Sequence, residues 1–61
     1  MNDIPDWDIT QEMIESGGAF VRGLGNLYRL ADADNQSKLK MAFPNYWKKY
    51  ADIVRAKKAK Q

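Results

Sequence analysis

An all-α fold is predicted for this chain: an antiparallel helical hairpin, its second arm broken or kinked at Phe43-Pro44, dimerising into a helical bundle. Three observations predict it. Apolar residues recur at steps of three and four, the spacing of one helix face, and strand alternation is absent. An Asp-rich stretch from Leu30 to Asn35 separates two such patterns. The chain has 61 residues and no cysteine, so no disulfide can hold a looser fold together.

Residues 1–7 read as a lead-in, in which Pro5 fixes its own backbone and turns Ile4 away from helix. A first helical arm, 8–31, can start at Asp8 with Gln11 three residues on, a capping-box spacing, with Thr10 as the competing cap. Met13, Gly17, Phe20, Leu24, Leu27 and Ala31 form its seam, and Ile14, Val21 and Tyr28 a flanking row. Four glycines interrupt it, each costing a helix interior about 0.8–1 kcal/mol relative to alanine. For Gly17-Gly18 two readings stand: close approach of another backbone, or a break with Ser16 capping a second helix. Gly23 and Gly25 read as close-packing positions.

Residues 32–34 form the turn, with Asp32 or Asp34 capping the next helix. A calcium loop counted from Asp32 would need glycine at Ser37 and an acid at Phe43, so that motif fails. The second arm, 35–58, carries the seam Leu39, Phe43, Tyr46, Tyr50 and Ile53, flanked by Trp47 and Val54. A proline inside a helix costs about 3 kcal/mol, so the pattern is expected to break at Phe43-Pro44, with Pro44 opening a new first turn. Residues 59–61 are expected to fray.

Antiparallel packing of the arms sets a register with position sums near 70: Leu27 on Phe43, Leu24 on Tyr46, Phe20 on Tyr50, Gly17 on Ile53, and Gly23 beneath Trp47. Charge is segregated: residues 1–15 carry −5, residues 16–37 are neutral and residues 38–61 carry +7. The same register puts Glu12 by Lys58 and Glu15 by Arg55, so the acidic head covers part of the basic tail. Trp7, Ile14, Val21, Tyr28, Trp47 and Val54 are left over as an exposed apolar flank. That flank is the candidate protein interface, shared between a second copy of the chain and a foreign partner.

The chemistry available is narrow. Histidine is absent, which removes the commonest general base and metal ligand. The four glycines match no phosphate-binding loop. The expectation is a protein with no catalytic residues, no metal and no cofactor. The longest wholly apolar runs span three residues, as in Ala19-Phe20-Val21, so no membrane span is expected. Tyr46-Trp47-Lys48-Lys49-Tyr50 interleaves rings with bases. Lys38, Lys40, Lys48, Lys49, Arg55, Lys57 and Lys58 are therefore the alternative set, for DNA or RNA contacts.

The run Gly17-Gly18-Ala19-Phe20-Val21-Arg22, then Leu24, Ala31-Asp32, Asn35, Lys38-Leu39 and Ala42-Phe43-Pro44-Asn45-Tyr46-Trp47-Lys48-Lys49-Tyr50, resembles small accessory proteins of tailed phages and prophages. The likeness covers about residues 14–52. It implies the cytoplasm of a bacterial host, and no catalytic or binding residue carries over from it. Small phage proteins of this class often bind and disable a host protein, defence systems included. The expected function is therefore non-enzymatic: binding a host bacterial protein as an inhibitor of a defence or regulatory system. A small basic nucleic-acid-binding regulator is the alternative.

Overall fold

A computed structural model describes residues 4–60; residues 1–3 of the lead-in and Gln61 of the tail lie outside the described residues. Four helices follow one another: α1 Asp6–Ser16, α2 Ala19–Leu30, α3 Ala33–Ala42 and α4 Pro44–Ala59. Among the described residues there is no strand.

Each boundary has a local cause. Pro5, with extended ψ of 148°, stands at the N-cap of α1, whose first residue, Asp6, lies two residues before the expected start. Its carbonyl accepts from Asp8 N and Ile9 N at 3.0 and 3.2 Å. The Asp8–Gln11 capping box is not used; Gln11 donates to Glu15 instead. Asp6 and Asp8 still favour this end of the helix by charge. Asp32 caps α3, accepting from Asn35 N at 2.9 Å. Gln36 Nε2 donates to the Tyr28 carbonyl at the end of α2, at 3.0 Å, alongside Ala31 N at 3.2 Å. The expected break at Phe43-Pro44 is present, with Pro44 in the first turn of α4.

The first arm is two helices. Gly17 and Gly18 are both extended, with ψ of 161° and −173°, and α2 starts from Gly18. Ser16 does not recap it; its hydroxyl donates to Glu12. Neither glycine has positive φ, so Gly17 is required by space. A Cβ there would lie 2.5 Å from Met13 O and 2.6 Å from Val21 Cγ1.

The two-residue connection folds α2 back along α1. Tyr28 OH donates to Asp6 Oδ2 at 2.8 Å, and Arg29 Nε donates to Thr10 Oγ1 at 3.1 Å. Gly25 allows the close approach: its Cβ would meet Thr10 O and Ile14 Cγ1, both at 3.1 Å. Helix α1 packs against both α2 and α4, and Ile9, Thr10 and Met13 are the most buried side chains. Ile4, Val21, Leu24, Tyr28, Trp47, Tyr50, Ala51 and Val54 complete the core, with Leu39, Phe43, Tyr46 and Ile53 packed against it.

This central α1 changes the expected register. Adjacent stripes on a helix lie about 100° apart. The face α2 turns to α1 is Val21, Leu24, Gly25 and Tyr28. The row Phe20 and Leu27, expected in the seam, is thereby left half in solvent. Phe20 reaches Phe43 and Tyr46 at ring distances of 5.7 and 5.9 Å, in place of Tyr50. Trp47 packs on Tyr28 at 5.1 Å, and nothing lies within 4 Å of a Cβ at Gly23. The expectation that Gly23 lies beneath Trp47 is therefore wrong, and the close-packing glycines are Gly17 and Gly25.

Candidate interaction surfaces

Four of the six side chains expected on an exposed flank are core. Val21, Tyr28, Trp47 and Val54 are buried, and Ile14 is half-buried. The folding back of α2 turns Val21 and Tyr28 inward and the packing of α4 on α1 buries Trp47 and Val54, so they are not available to a partner. Trp7 alone of the set is exposed, at 63%.

Trp7 is exposed yet held. The Arg29 guanidinium lies 3.5 Å from the Trp7 ring centroid. Arg29 Nη2 also donates to Trp7 O at 2.9 Å, and Arg29 Nε to Thr10 Oγ1. The Thr10 hydroxyl in turn donates to the Asp6 and Trp7 carbonyls at 3.0 and 3.1 Å. A planar cation over a ring face is attractive and fixes both partners. Beside this stack a cavity of ≈ 240 Å³ is lined by Asp6, Trp7, Thr10, Tyr28, Arg29 and Gln36.

Asp6 ties this end of the molecule together. Its carboxylate accepts from Tyr28 OH and from Lys40 Nζ, the latter at 3.1 and 3.3 Å. Burial, then the hydrogen bond and charge of Asp6, push the Tyr28 phenol up to about 12. At the other end Lys57 Nζ donates to both Glu12 oxygens at 2.8 Å. That bond, helped by Ser16 and opposed by burial, holds the Glu12 carboxyl below its ordinary range.

The alternative basic set is largely engaged by acids. Lys38 pairs with Asp34, Lys40 with Asp6, Lys48 and Arg55 with Asp52, Lys57 with Glu12 and Lys58 with Asp8, at 2.8–3.3 Å. Lys49 lies 5.6 Å from the Tyr50 ring. Glu12 takes Lys57 where Lys58 was expected, and Lys58 reaches Asp8. The acidic head does meet the basic tail. No group of three or more metal-ligating side chains occurs among the described residues, and no described helix is long and apolar enough to cross a membrane.

The second surface is one that sequence reasoning missed. Phe20, Leu27 and Leu30 are 58%, 51% and 85% exposed along one side of α2. Two adjoining hollows run between this row and α3. One, ≈ 450 Å³, is lined by Leu27, Leu30, Leu39 and Ala42 with Asn35 and Lys38 at its end. The other, ≈ 330 Å³, is lined by Ala19, Phe20, Gly23, Leu24, Leu27 and Phe43 among others. They share Leu27 and Leu39, so they form one apolar groove. Gly23 lines it with bare backbone, and inside the chain nothing occupies the space a side chain there would fill. The available signal was the row Ala19, Gly23, Leu27 and Leu30, at steps of four, four and three.

Comparison with protein-family models, with curated proteins and with solved structures finds no match to this chain.

Proposed function

We propose that the chain is a small non-enzymatic protein-binding module that associates with itself and with a protein of a bacterial host. Under the phage and prophage resemblance, it acts in the host cytoplasm as an inhibitor of a defence or regulatory system. The observation that carries this reading is the Trp7–Arg29 stack. Tryptophan and arginine are the residue types that concentrate binding energy at interfaces. Here a 63% exposed indole is already fixed by a guanidinium 3.5 Å from its ring. Ordering these side chains before binding reduces the entropy lost on association. The nucleic-acid alternative has less support, because six of its seven candidate bases are paired with carboxylates.

The test is capture from bacterial lysate with two baits, the natural chain and Trp7→Ala. The expected result is a host protein retained saturably by the natural chain and at least tenfold less by Trp7→Ala, the two baits having equal helicity. Identical capture by both baits, or no saturable partner, contradicts the proposal.

A further inference from the structure

We infer that the α2–α3 groove is the self-association surface, and that two copies pair there through antiparallel α2 helices, each Leu27 seated on the other copy's Gly23. This rests on the reading of the chain as a self-associating module and specifies the face and register.

The argument begins with spacing. Gly23 and Leu27 lie four residues apart on the groove side of α2, about 6 Å along the axis. A two-fold axis midway between them brings each leucine over the other copy's glycine. Leu27 is a half-exposed knob, and Gly23 offers bare backbone with nothing within 4 Å of a Cβ. The same rotation sets Phe20 opposite Leu30 of the second copy, because the two pairs share one position sum. Phe20 and Leu30 are the other large apolar side chains that α2 leaves in solvent. All four therefore find an apolar counterpart in a single register, as a two-fold interface requires.

Charge permits the approach. Arg22 lies about 100° around the helix from Gly23, and Arg29 is held against Trp7 on the α1 side. No like charges on α2 are brought together. The exposed row is small, so the pairing is weak and reversible, at the low end of specific interfaces. The Trp7–Arg29 stack stays outside this contact, so each copy keeps it free for a foreign protein.

Sedimentation equilibrium of the natural chain from about 10 to 500 µM, the range in which an interface of this size associates, should move from single-chain to two-chain mass. Leu27→Asp and Gly23→Leu should remain at single-chain mass while keeping natural helicity by circular dichroism, because neither position packs in the chain's own core. The register is read with two single-cysteine chains, Gly23→Cys and Leu27→Cys, mixed and oxidised. A mixed disulfide should predominate over both homodisulfides. Single-chain mass for the natural protein at 500 µM, two-chain mass for both folded groove variants, or predominance of homodisulfides overturns the inference. Host-protein capture separates this from the wider reading. Leu27→Asp should still capture what the natural chain captures, whereas capture lost with Leu27→Asp from a natural chain that stays single puts a foreign protein in the groove.

Discussion

Gly25 and Gly23 stand two residues apart in the same helix and do opposite things. At Gly25 the backbone of α1 comes so near that a Cβ would sit 3.1 Å from Thr10 O, with Ile14 and Met13 beside it. At Gly23 a Cβ would meet nothing. Each costs α2 about 0.8–1 kcal/mol of helix propensity. On the α1 side that loss is offset within the chain by close packing. On the groove side it is offset by nothing in the chain itself. The two faces of α2 are thus a finished contact and an open one, and glycine alone does not say which is which.

The largest effect expected from this contrast compares buried and open leucine-sized side chains. Met13→Ala empties a fully buried site and should destabilise by about 2–5 kcal/mol, enough to unfold a domain this small. Leu30→Ala, on the open face, should move stability by less than about 0.5 kcal/mol. Urea titrations followed by circular dichroism check both. If Leu30→Ala proves as damaging as Met13→Ala, the groove face is not open.

A smaller effect sharpens the finished face. Tyr28→Phe removes the hydrogen bond to Asp6 and should cost about 1–2 kcal/mol at neutral pH. The phenol loses its proton less readily folded than unfolded, about 12 against the ordinary 10. Its contribution is therefore complete below pH 10 and is lost as pH rises from 10 to 12. Lysines titrate there too, so the measurement is the difference between the natural chain and Tyr28→Phe across that range. The difference should shrink towards zero as pH rises, and a constant difference would count against the Tyr28–Asp6 link.

The smallest effect is at the far end of α1. Glu12 titrates below its ordinary 4.5 because Lys57 bonds the charged form. Its stabilisation is present above pH 4.5 and is lost as pH falls through the lowered folded value. Lys57 is largely exposed, so Glu12→Gln should cost no more than about 1 kcal/mol at neutral pH. It should also flatten the acid limb of a melting-temperature profile; an unchanged limb would deny Glu12 this role.

The punctuation of the fold was legible in the sequence. Pro44 placed the break before α4, Asp32 or Asp34 was to cap α3 and Asp32 does, and the opposed charges of head and tail foretold that α1 and α4 meet. The inward face of α2 was not legible. Val21 and Tyr28 form one apolar stripe and Phe20 and Leu27 the next, and both have helical spacing. The choice between them follows from α1 folding against α2, and that depends on the turn at Gly17-Gly18. The close contact requiring Gly17, with Met13 O and Val21 Cγ1, exists only after the fold forms. The candidate surfaces inherited the same ambiguity. Trp7 was identified, its clamp Arg29 was not, Phe20 and Leu27 were assigned to the seam, and Leu30 to the turn.

The most direct test of the two-faced α2 is a paired measurement at concentrations too low for association: urea unfolding of Gly25→Leu and Gly23→Leu. Gly25→Leu should lose about 1–3 kcal/mol, since Thr10 O belongs to backbone and cannot move aside. Gly23→Leu should be at least as stable as the natural chain, gaining helix propensity with nothing in the way. Equal destabilisation by both would contradict the account.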